Sequence, residues 1–365
     1  MCPTLSPDWI TLIQSAATFH QLGVLRRELL GRTDIVDADS AQPTATLHLL
    51  HDLLIKQAVE LAIRSCTRFG MGNPPVPYVL LAFGSGGRME QAQTSDQDSG
   101  LVYQLPAAAS QQERQELETY FAYLAETLVR GLAEAGYPEC SGGVVCANPR
   151  WRGSLEQWQT LYDGWAQEPV WEHVRYLLLC ADARPLCGDF RLYGQLRTHY
   201  QQVLTSHPQL FHRMLHNTLY YRVPLNVFGR IRRELRGRYQ GAINLKYGVY
   251  LPYVNSIRLW ALASGIRATS SLARIAGLRD AGIWPHSFCD EVARQFRKIL
   301  LLRLLPAQQW QDGQYESNSY LKPEALPGGP DELKSIIKTV LRLQKRTKHR
   351  FADPSGIPGY TGWLR

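Results

Sequence analysis

Residues 80–103 read LLAFGSGGRMEQAQTSDQDSGLVY, and this stretch decides the fold that we expect. An apolar run ends in the small-residue turn Gly84-Ser85-Gly86-Gly87. A second apolar run begins just after the acidic pair Asp96 and Asp98. Short apolar runs bounded by glycine and polar residues are typical of buried strands. The pattern therefore predicts a strand, a tight turn into a short helix, and a second strand.

The same stretch carries residue types suited to phosphate chemistry. Glycines after a strand let the backbone approach a ligand closely, and the N–H groups at the start of the next helix can hold phosphate oxygens. Asp96 and Asp98 are two residues apart, so both carboxylates point to one face if they lie on a strand. Two carboxylates beside a phosphate cradle form a hard-oxygen site suited to Mg²⁺ or Mn²⁺. Two-metal phosphoryl or nucleotidyl transfer requires this arrangement.

A Gly-Ser turn followed by Asp-x-Asp resembles the signature of the DNA polymerase β-like nucleotidyltransferase superfamily. The longer string over 84–103 is more specific and resembles the DUF294-type family, which is related to the N-terminal domain of protein-PII uridylyltransferase. The resemblance extends from about residue 45 to residue 350. It is carried downstream by Gly136-Tyr137-Pro138 with Cys140 and Gly142, Asn148-Pro149 with Trp151, Asn244-Leu245-Lys246, and Arg258-Leu259-Trp260-Ala261-Leu262 with Gly265-Ile266.

The resemblance implies an α+β fold with a small mixed-sheet nucleotidyltransferase core. We expect an N-terminal helical segment over 1–70, the core over 71–152, and an all-helical, substrate-binding domain over 153–365. Within the core the patterns predict strands at 78–83, 98–103 and 142–147 and helices at 84–93 and 111–135. From Trp151 onward they predict helices alone, at 154–166, 169–183, 189–205, 208–221, 224–239, 250–264, 269–281, 287–304 and 331–349.

The implied activity is a magnesium-dependent transfer of a nucleoside monophosphate from a nucleoside triphosphate to an acceptor hydroxyl. In this reading Asp96 and Asp98 are the catalytic metal ligands. Gly84 and Ser85 bind the β- and γ-phosphates through backbone N–H and hydroxyl groups. The analogy with protein-PII uridylyltransferase suggests a protein acceptor and a role in signalling.

Two cations are further candidates for nucleotide contacts, each with a structural alternative. Arg88 follows the glycine turn and could reach phosphates, or it could pair with Glu90 or Asp98 as part of the scaffold. Lys246 begins a helix in the C-terminal half. It could face the triphosphate across a cleft between the core and the helical domain, or it could be a surface lysine.

The expected third carboxylate is missing. Superfamily enzymes usually present one more acid on a later strand as base for the attacking hydroxyl, and the predicted strand 142–147 carries none. Glu139 and Asp163 are the candidate substitutes. This gap leaves open a second hypothesis, a non-catalytic nucleotide-binding regulator with a degenerate site.

Charge is unevenly distributed along the 365 residues. Residues 205–365 carry 25 Lys and Arg against 10 Asp and Glu, whereas residues 71–204 carry 9 against 15. A basic half beside a carboxylate-bearing middle suits a bound triphosphate, and a solvated helical surface is the alternative. Nucleic acid is a less favoured partner because no recognisable nucleic-acid module occurs.

Seven scattered cysteines with no CxxC pair are typical of reduced thiols. No apolar run approaches the roughly 20 residues of a membrane span, and the first residues do not have the pattern of a signal peptide. We therefore expect a cytoplasmic protein without a membrane partner.

Overall fold

The computed structural model describes residues 5–32, 35–226, 229–305, 309–311, 314–316, 319–326 and 328–352. Along the chain the α-helices and strands are α1 (Pro7–Gln14), α2 (Phe19–Leu30), α3 (Ala45–Arg68), β1 (Tyr78–Ala82), α4 (Gly84–Arg88), β2 (Ser99–Tyr103), α5 (Gln111–Glu134), β3 (Arg152–Ser154), α6 (Leu155–Gln167), α7 (Trp171–Cys180), β4 (Arg184–Gly188), α8 (Phe190–Ser206), α9 (Leu210–Thr218), β5 (Ile243–Asn244), α10 (Leu251–Ala263), α11 (Ser271–Asp280), α12 (His286–Leu302), β6 (Gln309–Gln311), β7 (Gln314–Glu316), β8 (Tyr320–Leu321) and α13 (Gly329–Phe351). This content confirms the predicted α+β class.

The chain divides into two compact units. The first contains residues 1–164, 182–200 and 312–315, and the second contains 165–181, 201–311 and 316–365. The helices α1 to α3 thus belong to the same unit as the sheet. Among the described residues, no helix is both long and apolar enough to cross a bilayer.

A mixed sheet with the strand order β3-β2-β1-β4 forms the centre of the first unit. β1 pairs with β2 and with β4 in antiparallel fashion, whereas β2 and β3 run parallel. The inner strands β1 and β2 are buried almost throughout, which explains their continuous apolar sequence. Helices α3 and α5 pack against each other and contact the edges of this sheet.

Local signals account for the bounds of α5. Ser110 and Glu113 form a capping box: the Ser110 Oγ accepts the Glu113 N–H at 3.2 Å, and the Glu113 carboxylate accepts the Ser110 N–H at 2.7 Å. The helix ends before Gly136, whose φ is +91°. Phe121 on α5 stacks on Tyr103 of β2, with ring centroids 4.5 Å apart. The helix is thereby fixed against the sheet.

Two predictions about strands are wrong. Residues 142–147 form turns, because Gly143 adopts a φ of +66° and its N–H donates to Cys140 O. The strands β3 to β8 all follow Trp151, where helices alone were predicted. Pro185 lies within β4, which is an edge strand of the sheet, where a missing N–H is tolerated.

The second unit is built on a buried apolar cluster contributed mainly by α10, α12 and α13. Ile257, Phe296 and Val340 are fully buried in it. The predicted helix at 224–239 is wrong. Glycines with positive φ at 229, 237 and 241 and hydrogen bonds across the segment fold its described part into an irregular loop. The remaining predicted helices correspond to α6 to α13 within a few residues.

Candidate active site

The glycine turn and the second aspartate meet at the end of β1. Gly84 follows Ala82 by two residues and has a φ of +53°, which favours glycine. A Cβ atom on Gly84 would lie 2.2 Å from Oδ2 of Asp98. Asp98 O also accepts the Phe83 N–H at 2.9 Å, which extends the pairing of β1 and β2 by one residue. The structure thus places the Asp98 carboxylate directly over the turn.

The two aspartates share a small cavity. Asp96 and Asp98, both half-buried, line it together with Gly86 and Gln91. Its volume is about 30 Å³, which is room for one ion or water and not for a nucleotide. The Gln91 side chain is 4% exposed, and its Oε1 has no hydrogen-bond partner. Apolar side chains of α3, β1, α5 and β4 form most of the remaining lining.

A thiol lies beside Asp98, just before the segment 142–147 on which a third acid was expected. Burial, followed by the charge of Asp98 and a hydrogen bond with it, raises the pKa of Cys140 to about 11. Ser99 N–H donates to Val144 O at 3.0 Å, so the turns over 142–147 run beside the start of β2 without contributing a carboxylate. The neutral thiol is no substitute for a base.

The two substitute acids are placed differently. Glu139 is exposed, and its backbone pairs with Gln97 in a parallel bridge next to Asp96 and Asp98. Asp163 lies on α6, and its carboxylate is 3.0 Å from His199 Nε2. Neither side chain lines the cavity that Asp96 and Asp98 share.

Arg88 is buried in a cluster of ionic groups. Its Nε lies 2.8 Å from Glu90 Oε2, and its Nη1 lies 2.5 Å from Asp182 Oδ2. All three side chains are at most 4% exposed. A guanidinium held in this way fixes α4 to the residues just before β4, which favours the scaffold alternative for Arg88. Asp182 was missed by the sequence analysis because β4 was not predicted.

Arg184 is a second residue that the sequence analysis missed. Its two Nη atoms donate to the two Asp52 carboxylate oxygens at 2.7 and 2.8 Å, and Nη2 also donates to Gly86 O at 2.9 Å. Such a bidentate pair fixes both distance and orientation. The glycine turn is thereby tied to α3 as well as to β4. In the sequence, this ion pair is indicated by Asp52, a carboxylate within the apolar stripe of α3.

The N-terminal helices also hold the loop that carries Asp96. Arg26 Nη2 donates to Gln93 O at 2.8 Å, and His51 Nε2 lies 3.1 Å from Ala92 O. Because a carbonyl can only accept, Nε2 carries the proton, and Nδ1 accepts from the Tyr137 hydroxyl at 2.9 Å. Burial and the nearby Arg26 charge lower the pKa of His51 to about 3. The imidazole is therefore neutral at physiological pH.

Lys246 lies in the second unit, as the first residue of the π-helix Lys246–Tyr250. It is half-buried, and its Nζ is 5.8 Å from the centroid of the Tyr247 ring. The structure thus places Asp98 against Gly84 and places Asp96 and Asp98 on one small cavity, with Ser85 next to Gly84 on the same turn. The contact between Lys246 and a nucleotide stays a prediction.

Comparison with known families gives two matches along the chain. Residues 28–172 match the family described as "Putative nucleotidyltransferase DUF294", and residues 208–351 match "Putative nucleotidyltransferase substrate binding domain". The first match contains the glycine turn and both aspartates. A search of the curated proteins found no match.

Proposed function

This chain belongs to the DUF294-type nucleotidyltransferase family, and we propose that it transfers a nucleoside monophosphate from a nucleoside triphosphate to an acceptor hydroxyl. The acceptor oxygen forms a bond to the α-phosphorus, the bond to the bridging oxygen breaks, and pyrophosphate leaves while the hydroxyl proton passes to solvent. The observation that carries the proposal is the Asp98 carboxylate lying against Gly84 of the turn.

The donor set fits a hard divalent ion, Mg²⁺ or Mn²⁺. Asp96 and Asp98 would hold it, with the buried Gln91 oxygen beside them. Among the described residues no group of three His, Cys, Asp or Glu side chains could hold a metal, so further ligands would come from phosphate and water. Mg²⁺ sites are usually built in this way. A bound ion would supply positive charge to the triphosphate and the attacking oxygen.

The remaining residues of the turn have separate roles. Gly84 leaves the space that the Asp98 carboxylate occupies, and the Ser85 hydroxyl and the nearby N–H groups would contact the β- and γ-phosphates. Arg88 positions α4 through its two carboxylate partners. Lys246 is proposed as a phosphate contact from the second unit.

A second candidate function has one observation in its favour. The Cys140 thiol lies beside Asp98, and the cavity that Asp96 and Asp98 share has no third carboxylate in its lining. A site with two carboxylates and no base suits a nucleotide-binding regulator without turnover. We favour transfer because an ion's charge can activate a hydroxyl without a protein base. A protein acceptor and a signalling role are part of the proposal and rest on the family resemblance.

The test uses full-length wild type and the variant Asp96→Asn/Asp98→Asn. Each nucleoside triphosphate is titrated with and without Mg²⁺, and transfer of label from α-³²P-nucleotide into a cell lysate is followed. We expect a discrete labelled product that the variant does not form, and nuclease or protease treatment then identifies the acceptor class. Mg²⁺-dependent binding with no transfer, even with lysate added, would support the regulator. Equal behaviour of variant and wild type would refute the site.

A further inference from the structure

A row of solvent-exposed aromatic rings crosses the second unit. The aromatic ladder consists of Trp171, Tyr220, Tyr221 and Tyr247. Successive ring centroids in this order are 5.4, 5.2 and 5.2 Å apart. Trp171 is 49% exposed, Tyr220 64% and Tyr247 44%, and Tyr221 is half-buried. Single exposed aromatics are common on proteins, but a contiguous row indicates a binding surface.

Cations flank the ladder at several points. Lys246 Nζ lies 5.8 Å from the Tyr247 ring centroid. Arg175 is exposed and lies one helical turn after Trp171 on α7, so both side chains project from the same side of the helix. Arg222 is exposed and directly follows Tyr221. The ladder is therefore apolar on its ring faces and positively charged at its margins.

An arginine-rich loop connects two residues of the aromatic ladder. The arginine loop consists of residues 229–241 and lies in sequence between Tyr221 and Tyr247. At its base the Arg232 N–H donates to Pro224 O at 3.0 Å, and the Glu234 N–H donates to Ala242 O at 2.8 Å. Exposed arginines occupy five of its positions, against one acid: Arg230, Arg232, Arg233, Arg236 and Arg238. Arg233 pairs with Glu324 at 2.6 Å, and the loop carries a net positive charge. Its base contacts Pro224, three residues after Tyr221.

We propose that the aromatic ladder and the arginine loop together bind single-stranded nucleic acid. Unpaired bases would stack on the rings, and the phosphates of the same strand would contact the arginines, as in other single-strand binding surfaces. A duplex cannot present its base faces to the ladder. An acidic peptide could neutralise the arginines but offers no flat partner for exposed rings. The inference goes beyond the proposed function and does not depend on the aspartate pair. It shares only Lys246 with that function, and the variants tested below leave Lys246 unchanged.

The test measures fluorescence anisotropy of a labelled twelve-nucleotide oligouridylate with the full-length protein. A duplex of the same length and a polyglutamate peptide of similar charge are the competitors. The ladder variant is Trp171→Ala/Tyr220→Ala. The loop variant is Arg232→Ala/Arg236→Ala. Matched controls are Ile283→Ala and Arg294→Ala, exposed positions of the same unit outside the ladder and the loop.

We expect wild type to bind the single strand more tightly than either competitor. The ladder variant should bind at least tenfold more weakly, because stacking on one ring contributes a factor of about five to 150 and this variant removes two rings. The loop variant should bind more weakly, with a slope of log K against log salt that is shallower by about 1.4, from two lost phosphate contacts. The controls should bind as wild type, and thermal unfolding should confirm that all variants are folded.

Two results would overturn the inference. Equal affinity for duplex and single strand, with the ladder variant unchanged, would mean that any polyanion binds. Tighter binding of polyglutamate than of oligouridylate would identify an acidic protein as the partner instead. Asp96→Asn/Asp98→Asn should keep full oligonucleotide affinity, so failure of the proposed function and failure of this inference can be distinguished.

Discussion

Replacing Gly84 by alanine tests the geometry on which the proposed site depends. The added methyl group would lie 2.2 Å from Asp98 Oδ2, whereas ordinary contact begins at 3.4 Å. The carboxylate must therefore retreat by about 1 Å. A displacement of this size at a reacting centre costs roughly 100-fold in rate. The positive φ adds a strain of about 1 kcal/mol to the free energy of folding.

Two further glycines on the same short helix provide matched comparisons. On Gly86 the nearest atoms to a new Cβ are the Ala82 side chain at 3.5 Å and the Gln91 amide at 3.7 Å, which is ordinary contact. Gly86→Ala should therefore be tolerated. On Gly87 the Cβ would meet Asp182 O at 2.0 Å, and backbone cannot move as a side chain can. Gly87→Ala should reduce the thermal stability of the whole unit.

The assay combines Mg²⁺-dependent nucleotide affinity and label transfer with thermal unfolding for all three variants. We expect Gly84→Ala to remain folded while losing Mg²⁺-dependent affinity and at least 100-fold in any transfer rate. Gly86→Ala should retain both, and Gly87→Ala should unfold at a clearly lower temperature. If Gly84→Ala binds and transfers as wild type does, the carboxylate over the turn is not part of the site.

Other expectations follow from the buried charges of the first unit. Asp182→Asn removes one partner of the buried Arg88 and should lower the free energy of unfolding in urea by about 3 kcal/mol. Asp189→Asn affects an ion pair whose partner Arg191 is exposed, and it should lower that free energy by less than about 1 kcal/mol. The pKa of His51 is lowered to about 3 in the folded protein, so below pH 6.5 the unfolded chain binds a proton that the folded chain excludes. The contribution of neutral His51 to the free energy of unfolding should therefore be fully present above pH 6.5 and be lost as the pH drops towards 3, by about 2 kcal/mol at pH 5. Urea titrations at pH 7 and pH 5 measure this loss, and His51→Gln should remove most of it.

The sequence was most informative where structure is local. The bounds of β1, β2 and α5 were predicted to within about one residue, because each is an apolar run or stripe with its own start and stop signals. The helix predicted at 224–239 was wrong for a physical reason. Gly229, Gly237 and Gly241 adopt positive φ angles, which end a helix, and the spacing of apolar residues carries no information about them.

In the candidate site, too, residues close together in sequence could be predicted and residues distant in sequence could not. Gly84, Asp96 and Asp98 lie within one stretch of 15 residues, and the spacing alone predicted their convergence. In the structure Asp98 lies against Gly84, and the role of all three residues in catalysis stays a prediction.

The residues that hold this stretch in place could not be predicted in the same way. Asp182 and Arg184 come about a hundred residues later, and they reach α4 because β4 pairs with the far edge of β1. That pairing depends on tertiary contacts. Composition does not predict a strand at 184–188, because proline is rare in strands and Pro185 lies within it. The short turn of the motif is nevertheless unable to fix its own position, since a five-residue helix has too few internal hydrogen bonds to be stable alone. The motif therefore specifies the chemistry, while the ion pairs that Asp182 and Asp52 form with Arg88 and Arg184 specify where the turn lies. Substitutions at Asp182 or Asp52 should affect the site without contacting it.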